Sequence, residues 1–474
     1  MCENLADGFV DEKRYNNADK TITYESNEAH FTASFVLPRG SGSDFAITVG
    51  CTTVEAREYR RTFVKVHKEI PRNVHRDDIV YVMQSTRNIM LAIGAWPFVS
   101  GKRSIFWKIY DLFLIFTSYV LLACDSIPGT IYWLLEESSR VRLQITPLLL
   151  YVFMTVIQYG IFLSRNDHIR QCLKHVEKDW ENVFSVKERN TMIKSAKTGR
   201  LLVTICGVFI YTGALMFQII LPLSQGEIVI GENITIRPLA CPVNFLFIDV
   251  QVSPVYEILF VAQSLTGFLI VSVATVACGL SSIFEIYANG QLKILIYLMR
   301  GLVEEQSQEE NEINKKIAEV VEHQVRIRSF LRSIQYCLQE IYLLEIMVNT
   351  LTICLLLYFM LLIRITRSDW DTSNSGVIGS YALSIINVII HIFLFCYAGE
   401  QLTEQAEKVA IESRELEWYR LPDKKARNVI MLMIMSNIPT KISAGKIMDL
   451  SFKTFGDIIK TSGAYFNMLR NVME

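Results

Sequence analysis

The sequence lacks paired cysteine motifs, an excess of charge and catalytic signatures. Its ten cysteines are scattered singly, without Cys-x-x-Cys or metal-ligand spacing, which predicts isolated thiols and no metal site. A formal net charge of −1 argues against electrostatic binding of nucleic acid. The chain also has no His-Glu-x-x-His, nucleophile elbow, phosphate loop or paired histidine box. We therefore expect neither an enzyme nor a cofactor.

The first residues lack the features of a cleavable leader. Residues 1–30 are polar and acidic, with no positive start followed by an apolar run, so we expect the N-terminus to stay in the cytoplasm. Residues 1–78 show no sustained apolar periodicity and include the loop-like stretch PRGSGSD. They are predicted to form a flexible cytoplasmic tail.

Long apolar stretches are abundant. Apolar residues make up 51% of the chain, and the mean hydropathy is +0.28, above the usual range of soluble domains. Six stretches are long enough to cross a hydrocarbon core of about 30 Å as helices. They lie near residues 112–135, 144–163, 201–223, 255–281, 341–363 and 377–398. The sequence thus predicts an all-α, multi-pass membrane protein.

Basic residues are distributed unevenly between these stretches. Three connections carry 24 Lys and Arg residues, whereas the other three carry 5. The positive-inside rule places the basic set in the cytoplasm, and with it the N-terminus. The sequon at Asn233 falls in a connection predicted to be outside, where we expect glycosylation. The basic connections are 164–200, 282–340 and 399–446, and the others are 136–143, 224–254 and 364–376.

The C-terminal segment is amphipathic. At 100° per residue, seven polar side chains share a stripe about 80° wide. Spacing alone fits either a soluble helix packed on a cytoplasmic surface or a seventh span with one wet face. The distance from Lys446 to Arg470, about 37 Å, and the end of the charges at Lys460 favour the span. The stripe consists of Lys446, Asp449, Lys453, Asp457, Lys460, Asn467 and Asn471.

Several ionisable residues are candidates for special roles. Asp125 and His391 lie within predicted spans, where buried ionisable groups are functional suspects, but we expect structural hydrogen bonding for both. Glu345 is expected near the cytoplasmic end of the fifth span, without a special role. His168 and His175 are expected on a solvated surface. Residues 285–340 look helical and are expected to continue the spans into the cytoplasm.

The last 80 residues resemble the C-terminal signature of insect odorant receptors, and the likeness extends more weakly from about residue 79. The stretch MLAIGAWPF at 90–98 is similar to the usual beginning of that family. The matching features are Cys396-Tyr397-x-Gly399, Trp418-Tyr419-x-Leu421-Pro422, Ala444-Gly445, Leu450, Thr454-Phe455 and Tyr465-Phe466-x-Met468-Leu469.

The resemblance implies seven transmembrane helices with a cytoplasmic N-terminus and an extracellular C-terminus. It also implies a tetrameric ligand-gated channel for monovalent and divalent cations, formed with an odorant co-receptor subunit. The expected location is the plasma membrane of olfactory sensory neuron dendrites. The segments so defined are a tail (1–78), a ligand-binding bundle (79–398), a cytoplasmic anchor segment (399–446) and a pore-lining helix (447–474).

The resemblance also assigns site residues. Met468, Asn471 and Val472 match the family's gate, a hydrophobic constriction beside a polar ring. Trp418, Tyr419 and Pro422 match the anchor. A small volatile ligand is expected in the outer half of the bundle, between helices two, three, four and six. Candidate ligand contacts are Tyr151, Met154, Tyr211, Leu215, Gln218, Phe260, Ser264, Tyr381 and Ser384.

Two other receptor classes compete with this interpretation. A gustatory receptor channel of the same superfamily is the nearer alternative, and the long C-terminal match favours the odorant branch. A G-protein-coupled receptor requires an extracellular N-terminus, which the distribution of basic residues contradicts.

Overall fold

The computed structural model describes most of the chain between residues 83 and 473 and four short segments before it. The described ranges are 12–16, 21–26, 31–36, 47–51, 83–97, 104–181, 186–220, 222–223, 228–230, 234–237, 239, 241, 250–302, 310–366, 372–420 and 423–473. The chain divides into two units, Met1–Pro71 and Arg72–Glu474.

The second unit is helical. Its helices are α1 (83–92), α2 (Ile105–Leu135), α3 (Ser139–Ser164), α4 (Asn166–Glu181), α5 (Val186–Leu215), α6 (Val255–Arg300), α7 (Glu310–Thr366), α8 (Thr372–Glu415), α9 (Asp423–Ser436) and α10 (Phe452–Met473). A π-turn, Met216–Ile220, extends α5, and a 3₁₀ turn, Trp418–Arg420, precedes α9. Two hairpins pair β5 (Ile228–Ile230) with β6 (Ile234–Ile236) and β7 (Ser443–Ala444) with β8 (Met448–Asp449).

The predicted spans all form helices. Within lipid every backbone N–H and C=O must be bonded inside the segment, so long apolar runs fold as helices. Among the described residues, six helices are long and apolar enough to cross a membrane. They are α2, α3, α5 with its π-turn, α6, α7 and α8. The prediction of an all-α membrane protein is thus confirmed.

Three of these helices are far longer than a bilayer requires. Helices α6, α7 and α8 contain 46, 57 and 44 residues. A span needs about 20 residues, so the remainder forms the helical extensions that the sequence predicted. Helix α6 is central, because 83% of its most apolar 18-residue stretch is buried.

The hydrophobic core has two parts. The larger cluster runs through the bundle and the helical extensions. A smaller cluster joins α7 and α8 through six buried side chains, and Phe466 and Leu469 of α10 pack against it. Its members are Leu355, Leu356, Tyr358, Phe359, Tyr381 and Ile385.

The N-terminal unit contains an antiparallel four-stranded meander that the sequence analysis did not predict. The strand order is β1-β2-β3-β4. The flexibility of residues 1–78 stays a prediction. The strands are Glu12–Asn16, Thr21–Ser26, Phe31–Val36 and Ile47–Cys51.

Candidate functional site

Helix α10 presents its polar stripe away from the rest of its own chain. Lys453, Asp457 and Lys460 are exposed, and so are Asn467 and Asn471 further along. The opposite face packs on α7 and α8 through apolar side chains and buried Ser462, whose Oγ lies 3.2 Å from the carbonyl oxygen of Thr350. Asp449, at the start of the stripe, pairs with Lys441 at 2.8 Å.

The predicted gate residues lie near the end of α10. Met468 is 65% exposed, and Asn471 is also exposed. The side chain of Val472 lies outside the described residues. The Met468 side chain is therefore largely uncovered by its own chain, and its gating role stays a prediction.

A short hairpin precedes α10 and is fixed to α7. Gln335 holds Ser443 by donating from Nε2 to its carbonyl oxygen at 2.7 Å and accepting from its amide at 2.9 Å. Gly445 has a positive φ of 57° and donates its amide to the carbonyl of Gln339 at 2.8 Å. Glycine adopts this backbone conformation without steric cost, which explains the Ala444-Gly445 signature.

The start of α10 is fixed by side-chain caps. Oγ of Ser451 accepts the amide of Thr454 at 3.2 Å, as N-cap serines do. A carboxylate oxygen of Glu400 accepts the amide of Phe452 at 2.9 Å. The hydroxyl of Thr454 donates to the carbonyl of Asp449 at 2.6 Å. The pore-helix candidate is therefore held by hydrogen bonds at its N-terminal end.

The candidate ligand contacts divide into those bonded across helices and those that are not. Oη of Tyr151 on α3 donates to Oδ1 of Asn349 on α7 at 2.7 Å. Oη of Tyr211 on α5 lies 2.8 Å from Oγ of Ser272 on α6. The side-chain amide of Gln218, in the π-turn, lies so close over Gly267 of α6 that it leaves no room for a Cβ there. The structure thus joins α3 to α7 and α5 to α6 through predicted residues.

The remaining candidates pack against apolar neighbours or bond within their own helices. Met154 is buried, and Tyr381 is buried against Phe359. The hydroxyls of Ser264 and Ser384 donate to carbonyl oxygens of their own helices. Phe260 stacks with its neighbour Tyr256, and Leu215 is 42% exposed. Ligand contact by each of these residues stays a prediction.

A buried polar cluster lies in the bundle where α3, α7 and α8 meet. Glu345 of α7 is 2% exposed. Its Oε1 accepts from Nε2 of Gln158 at 2.9 Å, and its Oε2 accepts from Nδ2 of Asn349 at 2.9 Å. Nδ1 of His391 on α8 lies 3.5 Å from the same Oε2. Tyr151 extends the cluster through Asn349.

The expectation that Glu345 has no special role is therefore wrong. Glu345 holds three helices together through side chains that the sequence analysis did not connect. A signal was present: Glu345 and Asn349 are four residues apart, so they share one helix face within an apolar run. The structural role expected for His391 and Asp125 agrees with their contacts, since Thr266 lies beside the buried Asp125 carboxyl.

A second polar cluster lies on the cytoplasmic side, around Asp179 of α4. Its carboxylate accepts a hydrogen bond from Tyr287 and lies 3.5 Å from Nη1 of Arg326 and 3.6 Å from Nε2 of His175. His175 also stacks on Phe330 and is half-buried, so the expected solvated position holds only in part. Burial, with smaller effects of Arg326 and Lys178, lowers the pKa of His175, although Asp179 opposes this.

The anchor candidates are exposed within this chain. Trp418 is 40% exposed and Tyr419 is 67% exposed, and their rings contact each other edge to face. Pro422 and the sequon residue Asn233 lie outside the described residues. The anchor role of Trp418 and Tyr419 stays a prediction.

The thiols and acidic residues build no metal site in the described part of the chain. Eight cysteines there are free. No group of three or more His, Cys, Asp or Glu side chains lies within metal-binding reach among the described residues.

The chain is similar to known proteins of one kind. Residues 142–463 match the family model described as 7tm Odorant receptor. Odorant receptor 13a of Drosophila melanogaster is 22% identical over 402 residues, 80% of this chain and 93% of that protein. Odorant receptor 82a of the same organism is 21% identical, covering 67% of this chain and 81% of that protein. The solved olfactory receptor OR5 of Machilis hrabei with eugenol shares the fold, with a TM-score of 0.68, 15% identity and coverage of 83% of this chain and 100% of that one.

Proposed function

Because the chain belongs to the 7tm odorant receptor family, we propose that it is the ligand-binding subunit of an odorant-gated cation channel. The channel is a tetramer with an odorant co-receptor, in the plasma membrane of olfactory sensory neuron dendrites. It passes monovalent and divalent cations. A small volatile ligand binds in the outer half of the helix bundle.

The exposed polar stripe on α10 supports this proposal most directly. A membrane helix with exposed Lys453, Asp457 and Lys460 is costly in lipid, so this face requires water or protein. Four such helices around one axis would line an aqueous path. Near the outer end, Met468 and Val472 would close the path by dewetting, and Asn471 would replace part of an ion's hydration shell.

Gating follows from a difference in ligand affinity between two arrangements of the helices. A ligand shifts the equilibrium only if it binds one arrangement more tightly. Tyr151, a candidate ligand contact, donates a hydrogen bond to Asn349 of α7, and α7 packs directly on α10. The orientation places the basic connections and the N-terminus in the cytoplasm.

The proposal is tested by recording current from cells that express the chain together with an insect co-receptor. During exposure to a volatile panel, we expect a ligand-evoked cation current that persists when GTP is replaced by a non-hydrolysable GDP analogue. Cells with the co-receptor alone are the control for responses that do not need this chain.

Two outcomes would contradict the proposal. One is silence to a broad panel although surface labelling shows both subunits. The other is a current that disappears with the GDP analogue, which would indicate G-protein signalling. The proposed orientation is checked separately by a tag at the N-terminus, which should be detected on the cytoplasmic side of the membrane.

A smaller side chain at the proposed gate is expected to open it. Met468→Ala removes apolar volume from the constriction, so current without ligand should rise about tenfold, equivalent to about 1.4 kcal/mol. Basal current normalised to surface expression measures this. Met431→Ala is the matched control, since Met431 on α9 is 61% exposed and Met468 is 65% exposed. Equal basal currents in the two variants would rule out Met468 as a gate residue.

A further inference from the structure

Two inward-facing rows of side chains run from the candidate ligand region to the buried polar cluster. On α3, Gln158 lies seven residues beyond Tyr151. On α8, His391 lies seven residues beyond Ser384. Seven residues equal two helical turns, or about 10 Å. Both helices run in the same direction, so Gln158 and His391 lie at a similar depth below the candidate contacts. Both flank Glu345.

Three buried polar atoms near this depth have no protein hydrogen-bond partner within the part of the chain that the structure describes. They are Oε1 of Gln158, Nε2 of His391 and Oδ1 of Asn387. Gln158 is fully buried, and His391 is 6% exposed. Asn387 lies one turn above His391 on α8, and its amide packs directly over Gly213 of α5. Gln158, Asn387 and His391 are called the acceptor layer below.

The chemistry of the acceptor layer is set by the bonds already made. Nε2 of Gln158 donates to Glu345, which leaves only the carbonyl oxygen of that amide. A neutral imidazole whose Nδ1 proton faces Glu345 presents Nε2 as an acceptor. Burying an acceptor without a donor is costly. The layer therefore favours a group that donates a hydrogen bond.

The same bonds indicate that the donor group of the ligand is neutral. Both oxygens of Glu345 already accept hydrogen bonds from Gln158 and Asn349 and one lies near His391. Both carboxylate oxygens therefore already have partners. A protonated amine would meet mainly neutral acceptors, which do not balance its charge. Ethers, esters and ketones supply no donor at all. A hydroxyl group donates one hydrogen bond to an acceptor of this layer and carries no charge that would have to be desolvated.

We propose that the acceptor layer is a polar subsite that binds the hydroxyl group of an alcohol or phenol, with the apolar body of the ligand above it towards Tyr151 and Ser384. This inference rests on the proposed odorant-receptor function and names the ligand class. Gln158 and Asn387 then determine specificity, because they contact the hydroxyl group rather than the apolar body.

The test compares alcohols and phenols with their methyl ethers, which keep the carbon skeleton and lose only the donor. In cells expressing the chain and co-receptor, the alcohol or phenol should be about tenfold more potent than its ether. In Gln158→Met that ratio should fall close to one, while the ether's half-maximal concentration changes less than twofold. Asn387→Leu, of similar volume, should lower the ratio in the same direction and serves if Gln158→Met fails to reach the surface.

The outcomes separate the two proposals. Current evoked by other volatiles, together with equal potency of alcohol and ether in the unmodified receptor, overturns the hydroxyl subsite and leaves the channel function standing. An unchanged potency ratio in both variants also overturns it and indicates that the layer binds structural water. Silence to every volatile, with both subunits at the surface, overturns the proposed function itself.

Discussion

Gly399→Ala should destabilise the receptor by about 3 kcal/mol, near the upper end for overpacked positions. A Cβ at this position of α8 would lie 2.5 Å from Cβ of Leu450 and 2.6 Å from its carbonyl oxygen. Leu450 cannot move aside easily, because its side chain is 1% exposed and its amide donates to Ile442 at 2.9 Å. The segment that leads into α10 would have to shift as a whole.

The effect is measured by the thermal unfolding midpoint of the detergent-solubilised receptor and by surface expression. Gly379→Ala is the matched control on the same helix, since a Cβ there meets no atom within 4 Å. Replacing glycine by alanine in an open helical position usually stabilises by about 0.5 to 1 kcal/mol. The two variants should therefore move in opposite directions. Similar midpoints would refute the proposed close contact between Gly399 and Leu450.

Glu345→Leu should lower the free energy of unfolding by about 3 to 5 kcal/mol, because each buried donor left without an acceptor costs about 1 to 3 kcal/mol. The substitution leaves the amides of Gln158 and Asn349 without their acceptor and His391 without its carboxylate. Glu345→Gln should cost less, because its carbonyl oxygen still accepts one hydrogen bond.

Glu322→Leu on the same helix provides the control. Glu322 is exposed, and surface substitutions usually change stability by less than about 0.5 kcal/mol. The unfolding midpoints of the three variants should therefore rank with Glu345→Leu lowest, Glu345→Gln next and Glu322→Leu near the unmodified receptor. If Glu345→Leu and Glu322→Leu have the same unfolding midpoint, the cluster contributes nothing to holding α3, α7 and α8 together.

The helical membrane architecture follows from the composition and spacing of the residues alone. A single apolar run can bond all its backbone groups in lipid only as a helix, and each predicted span is helical over its described residues. The amphipathic pattern before Arg470 likewise predicted which side of α10 is polar, since helical periodicity depends only on spacing. The sequence identifies Gly399 and Gly445 as signature residues but does not explain why they are glycines. In the structure, Leu450 leaves no room for a Cβ at Gly399, and Gly445 has a positive φ.

Which polar residues meet inside the bundle depends on how the helices pack against one another. Gln158 and Glu345 are 187 positions apart along the chain, and no local pattern relates either of them to His391. Their contact depends on how α3, α7 and α8 are rotated about their axes, which packing of whole helix faces decides. The same reason explains His175, which a single helix presents as a polar surface residue and which Phe330 covers only when α4 docks on α7.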